Sequence, residues 1–226
     1  MALNQLITYY YGVIDLVSTA VPRELAALPL RTLRPQDAGR VYAQPRGEMR
    51  RLERRGALHR LAHGYYVVVP QGQTGTGWMP TLEAAAAGIA TADFGPASAI
   101  LMGVSAARLH GAIPRAIGTA VVAVPAQRRA IALVDRAATV RLVKRDTARL
   151  DAERMSTELG PTLVTTPEQT VLDLARRPDL GDAEDEVRDA VRILIARADV
   201  DLLDELAVSQ RARASLRRAR DWARAS

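Results

Sequence analysis

The chain has no cysteine, one phenylalanine, three histidines and a single lysine, Lys144. Without cysteine, disulfides and thiolate metal sites are excluded, which suits a reducing compartment. With one Phe, the core must be built mainly from Leu, Val, Ile and Ala. The three histidines are His59, His63 and His110. A serine–histidine constellation with Ser98, Ser105 or Ser156 would therefore need His110, which has no evident acid partner in the sequence. No apolar run reaches the roughly 20 residues needed to span a bilayer, and the N-terminus lacks the basic flank and small-residue cleavage site of a secretory signal. The expectation is a cytoplasmic protein with no membrane partner.

What is present is ordinary for a soluble globular protein: 226 residues, 48% hydrophobic and 25% charged, enough for one large domain or two small ones. The net charge of +6 is unevenly placed. Residues 1–70 carry 10 Arg and 5 acids (+5), and residues 71–226 carry 21 Lys plus Arg and 20 acids (+1). A basic excess confined to the first third favours a nucleic-acid-binding segment there, because neutralising phosphate drives that affinity.

The informative stretch is Pro45 to Val69, PRGEMRRLERRGALHRLAHGYYVVV. At about 100° per residue, Arg46, Arg50 and Arg54 share one side of a helix with Arg51 and Arg55 beside them, while Met49 and Leu52 point the opposite way. Glu48 and Glu53 fall on the flanks. Pro45 can open the helix and Gly56 can end it. Ala57 to Leu61 and Tyr65 to Val69 then flank a turn at Ala62-His63-Gly64, as in a β-hairpin. An arginine-faced helix followed by a ribbon is the layout of a winged helix-turn-helix, with the helix in the major groove. The bland alternative is a solvated basic face on a surface helix.

Along the rest of the chain, Leu3–Val17 and Val21–Leu28 have helical spacing, and Tyr9 to Tyr11 read as core with their hydroxyls at the rim. Arg34–Tyr42 would be the positioning helix before the arginine helix. Residues 71–80, polar and glycine-rich, read as a linker, since no Lys-Ser/Thr ending makes them a phosphate loop. Beyond it, helices are expected at Thr81–Thr91 and Pro96–His110. Strands are expected at Thr119–Pro125, Ile131–Val134 and Thr139–Arg145, with an edge strand at Pro161–Val164. Thr166-Pro167-Glu168-Gln169 has the form of a capping box. Helices should follow at Asp182–Arg197, Asp199–Ala207 and Ser209–Ala225. Residues 178–206 hold ten acids against three arginines and residues 207–226 six arginines against one acid, so the two segments are expected to pair.

PASAILMGVSAARLHGAIPR (Pro96–Arg115), a valine-rich strand ending Val124-Pro125, and TTPEQTVLDLA (Thr165–Ala175), together with the N-terminal helix and ribbon, resemble the AbiEi-type antitoxins. The resemblance covers roughly Val21 to Ala175 and is less clear over the C-terminal helices. It implies an α+β fold with a winged helix-turn-helix domain (1–70), a linker (71–80) and an antitoxin domain (81–226). It also implies repression of the operon through inverted repeats in double-stranded promoter DNA, and the countering of a nucleotidyltransferase toxin. DNA-contacting positions would be Arg46, Arg50, Arg51, Arg54 and Arg55, with Arg60 and His63 near the wing. His110 and Thr166-Pro167 look like framework.

The case for an enzyme is weak. Asp182, Glu184, Asp185, Glu186 and Asp189 sit at a helix start, where acids favour the dipole. No histidine accompanies them, so neither a metal site nor a cofactor is expected. Glu168 and Asp173 are too few for the nuclease pattern of related proteins with a separate nuclease domain. Two other readings stay open: a one-component regulator that senses a ligand, and a kinase-like enzyme that modifies the toxin.

Overall fold

Two β-sheets with a buried helix between them set the architecture in the computed structural model, which describes residues 21–225. The expected helix at Leu3–Val17, with Tyr9 to Tyr11, lies outside the described residues. The chain runs through α1 (Arg23–Ala26), a 3-10 turn at Pro29–Arg31, β1 (Thr32–Leu33), α2 (Pro35–Ala38), α3 (Pro45–Arg54), β2 (Leu58–Ala62) and β3 (Tyr65–Val68). The first sheet is antiparallel in the order β1-β3-β2.

Next come α4 (Leu82–Phe94), β4 (Ile100–Leu101), α5 (Val104–Leu109), β5 (Thr119–Val124), β6 (Ile131–Ala132), β7 (Thr139–Lys144), β8 (Ala152–Thr157) and β9 (Gly160–Thr165). The C-terminal helices are α6 (Pro167–Arg176), α7 (Glu184–Ile195), α8 (Val200–Ser209) and α9 (Arg213–Arg224). The second sheet has the order β6-β7-β5-β4-β9-β8 and is mixed, with β5 parallel to β7 and β4 parallel to β9.

Both faces of the larger sheet are covered. Ala120, Val122, Val124, Val140 and Leu142 face α4, while Val121 and Ala123 face α5 to α9. A strand buried on both sides needs no polar alternation, which is why TAVVAV reads as one apolar run. Helix α4 (LEAAAAGIATADF) is buried over Leu82 to Thr91 because it lies between the two sheets, and its buried part is apolar apart from Thr91 and Glu83, the latter paired with Arg108. Leu61, Ala62, Tyr65 and Val67 of the hairpin belong to the same packed cluster as α4 and β5. Thr32 of β1 lies directly against Gly88, leaving no space for a side chain there. A third cluster, with Leu25, Leu33, Ala38, Met49, Leu52, Leu58 and Val68, holds α1 to α3 on the first sheet.

Several expectations are corrected. Pro96–His110 is not one helix. Gly103 at φ +56° breaks it, and Ile100-Leu101 form a central strand between β5 and β9. A short apolar run fits either state by periodicity, and burial on both faces selects strand. The segment Pro161–Val164 is not an edge, because β8 pairs outside it. Strand β8, AERMST, shows no apolar pattern since an exposed edge favours charge, here Glu153 and Arg154.

At α6, Thr166 does cap, its Oγ1 accepting from Gln169 N at 3.3 Å. The Gln169 side chain does not return to close a box. It reaches Asp173, Gln210 and the Asp151 N–H instead. The acidic and basic C-terminal segments are joined by Arg220–Asp204 at 2.8 Å, whereas Asp182 pairs with Arg141 and Glu186 with Arg115 outside those segments.

Candidate nucleic-acid interface

Pro45 occupies the first turn of α3 without needing a donor, and Gln44 precedes it with no side-chain cap. Met49 and Leu52 are 2% and 1% exposed in the third cluster. Burying two such side chains contributes about 1.5–3 kcal/mol each, which fixes the rotation of the helix about its axis. That rotation turns Arg46, Arg50 and Arg54 to solvent, and no ion pair or hydrogen bond engages them among the described residues. Arg51 is different. It is half-buried, and its guanidinium holds Glu48 Oε2 at 2.7 Å (Nη2) and 2.9 Å (Nε). Arg55, exposed, caps the helix end. Three arginines therefore form the outer row, where the spacing alone suggested five.

The stop is a Schellman motif. Ala57 N donates to Leu52 O and Gly56 N to Glu53 O, both at 2.9 Å, and Gly56 takes φ +70°. The hairpin follows at once. Leu58 pairs with Val68, Arg60 with Tyr66 and Ala62 with Tyr65, leaving His63-Gly64 as a two-residue tip with Gly64 at φ +84°. His63 is exposed. Arg60 Nη2 lies 3.2 Å from His63 Nδ1, and the Arg60 guanidinium covers the Tyr66 ring at 6.0 Å.

The hairpin tip comes beside the start of α3. A cleft of about 450 Å³ is lined by Arg46 and Arg50 on one side and by Arg60, His63 and Gly64 on the other. A second of about 780 Å³ runs from Arg34 and Gln44 past Arg46 to His63. The fold thus brings Arg46, Arg50, Arg60 and His63 together. Arg54 and Arg55 lie further along α3, away from the tip. The arrangement can receive an anionic ligand along a path from helix row to hairpin.

Two contacts hold the hairpin on the larger sheet. His59 Nε2 lies 2.7 Å from Asp135 Oδ2, and Val134 N donates to Leu61 O at 2.9 Å. Burial pushes the Asp135 carboxyl up, but hydrogen bonds from Arg136 and His59 more than offset this and leave it below its ordinary range. His59 is therefore a structural residue of the hairpin.

A further group was not legible in the sequence. Asp93, near the end of α4 with its side chain 2% exposed, accepts from Arg34 Nη1 at 2.5 Å and Tyr65 OH at 2.8 Å, and also from Arg128. Burial, followed by the hydrogen bond to Asp93, raises the Tyr65 hydroxyl above its ordinary value. One carboxylate thus ties together α2, β3 beside the hairpin tip, α4 and the loop after β5. The only available signal was an acid in the last turn of a mostly apolar helix. The dipole disfavours charge of that sign there, so a cation has to be supplied from elsewhere.

No helix among the described residues is long and apolar enough to cross a membrane. Among solved structures, the RV2827C protein from Mycobacterium tuberculosis is similar at 19% identity, covering 83% of this chain and 72% of that chain with a TM-score of 0.52, a likeness of fold. No curated protein matches. The family model for the AbiEi antitoxin C-terminal domain matches residues 98–223. That span includes β4 to β9 and reaches through α7 to α9, helices over which the sequence resemblance is less clear. It covers more than half of the 226 residues, and the chain belongs to the AbiEi antitoxin family.

Proposed function

We propose that this antitoxin represses its own operon by seating α3 in the major groove of promoter DNA, with the β2–β3 hairpin as the wing in an adjacent groove. In this reading residues 1–70 form a winged helix-turn-helix unit, 71–80 a linker and 81–226 the antitoxin part. The protein works in the cytoplasm, and the toxin it counters is a nucleotidyltransferase. One observation carries the DNA reading: the exposed, unpaired row Arg46, Arg50 and Arg54 on a helix whose opposite side is locked by Met49 and Leu52. A surface arginine is commonly paired when an acid lies within reach, as Arg51 is with Glu48. These three are not, and the exposed His63 lies at the tip beside Arg46 and Arg50.

The test is fluorescence anisotropy of the full chain on the duplex upstream of its own reading frame, across a salt series. Wild type should bind with a steep salt dependence. Arg50→Ala/Arg54→Ala should lose specific binding and flatten the slope by about 0.9 per phosphate contact removed, with an unchanged circular dichroism spectrum. Binding unaffected by the double substitution would remove α3 from the interface. The toxin half is tested by co-expression: rescue of growth from the neighbouring nucleotidyltransferase would support it, and failure to rescue would count against it.

A further inference from the structure

The glycine-rich stretch 71–77 folds back onto the end of α3. A side chain at Gly56 would meet the backbone N of Gly75 at 3.3 Å, and Gly56, Gly72, Gly75 and Gly77 all take positive φ. Thr76 Oγ1 donates to Gln73 O at 2.8 Å within the turn. Between this stretch, the stop of α3, the base of the hairpin and the turn at Val134-Asp135 lies a cleft of about 500 Å³. That is within the size range of small-molecule sites.

Trp78 is half-buried and meets the His59 ring edge to face, with centroids 6.5 Å apart and planes at 78°. Leu58, Val69 and Val134 add aliphatic wall. The polar groups divide into matched and unmatched. Asp135 is matched by His59 and Arg136. Glu53, half-buried, has no ion pair or hydrogen bond at its carboxylate among the described residues, and Arg60 keeps a buried Nε without a partner.

The formal charges offset one another, Glu53 against Arg60 and Asp135 against Arg136, so a neutral ligand leaves the balance intact where a phosphate or an ammonium would upset it. Such a ligand must bring N–H donors to Glu53, which can only accept, and an acceptor to Arg60, which can only donate. To lie against Trp78 it must also be flat and aromatic. Guanine meets all three conditions: N1–H and the 2-amino group are adjacent donors, and O6 and N7 are acceptors suited to arginine. Adenine presents an acceptor at N1, where the carboxylate needs a donor.

We propose that this cleft is a nucleoside site selective for guanine, with Trp78 against the base, Glu53 accepting from N1–H and the 2-amino group, and Arg60 donating to O6 or N7. The site stands apart from the DNA reading and does not rest on it.

Trp78 and Trp222 are the two tryptophans of the chain, so the fluorescence of the full-length Trp222→Phe variant reports Trp78 alone. Guanosine should quench it saturably with a Kd below about 1 mM, and calorimetry on the wild-type chain should give the same Kd. Adenosine should bind at least about tenfold more weakly, with inosine, which lacks the 2-amino group, in between. Glu53→Gln should weaken guanosine by about tenfold or more at an unchanged melting temperature. Should that variant melt earlier, the ranking of guanosine, inosine and adenosine on wild type decides alone. No saturable quench by guanosine, or equal affinity for guanosine and adenosine, would overturn the site. Guanosine binding untouched by Glu53→Gln would do the same.

Discussion

Replacing Asp93 by alanine tests whether one carboxylate holds the basic surface to the body of the protein. Its side chain is 2% exposed and accepts from Arg34, Tyr65 and Arg128. Removing one member of a buried pair typically costs about 3–5 kcal/mol, because the partner charge is left without compensation. Here the partners are not fully buried: Arg34 is 25% and Arg128 45% exposed, so both can turn toward water. Discounting for that screening leaves about 2–3 kcal/mol. For a chain of this size that is a fall in melting temperature of about 5–10 °C. Asp93→Asn, which keeps the shape and an acceptor but not the charge, should fall between alanine and wild type. Differential scanning fluorimetry at low and high salt reads all three. A fall of under about 1 °C for alanine would refute the idea that this group joins α2, β3 and the β5–β6 loop, since the energy of an important buried pair could not be so small.

Three other outcomes are expected. Gly88→Ala sets a methyl against Thr32 and should destabilise by about 1–3 kcal/mol by overpacking, read by urea unfolding. Pairing it with Thr32→Ala should recover part of that loss, and strict additivity would show that the two do not touch. Burial raises the Asp173 carboxyl above its ordinary value of 3.8, with Arg145 and Gln169 only partly opposing. A raised folded value means a contribution that is full below about 3.8 and lost as pH rises through the folded value. Asp173→Asn should therefore lack that downward slope with rising pH, and a melting-temperature profile parallel to wild type across this range would contradict it. Glu48→Ala releases Arg51 at a cost of at most about 1 kcal/mol. It should steepen the salt slope of DNA binding by up to about 0.9, the opposite direction from the arginine variants, and a flatter slope would count against α3 as the contact.

What could be read in the sequence was local. Helix α3 and the hairpin are encoded within 24 residues by arginine spacing, two apolar anchors and the glycines Gly56 and Gly64, whose positive φ supplies the stop and the tip. Strands β5 and β7 and the Thr166 cap were similarly visible. What escaped depends on distant partners. Ile100-Leu101 is a strand because β5 and β9 flank it, and β8 is polar because it lies at an edge. Asp93 meets residues 59 positions before and 35 after it, a pairing that no local pattern encodes. The place of the β5–β6 loop is likewise not local: only the fold sets it next to His63.

The distribution of acids gives the basic surface its meaning. Arg34 and Arg128 share Asp93, Arg108 has Glu83, Arg145 has Asp173, and Arg136 has Asp135; in each case the acid side chain is at most 6% exposed. These arginines are held by buried carboxylates, so their positions are fixed by the core. Arg46, Arg50, Arg54 and Arg129 have no such acid and project from elements that the paired arginines and the buried anchors immobilise. Arg46 and Arg50 on α3 and Arg129 on the β5–β6 loop lie on the two sides of a single hairpin tip, while Arg23, Arg40, Arg213 and Arg217 are exposed without a partner on other elements. Free guanidinium groups held close together by buried anchors make a polyanion with regularly spaced charges a better fit than scattered acidic partners.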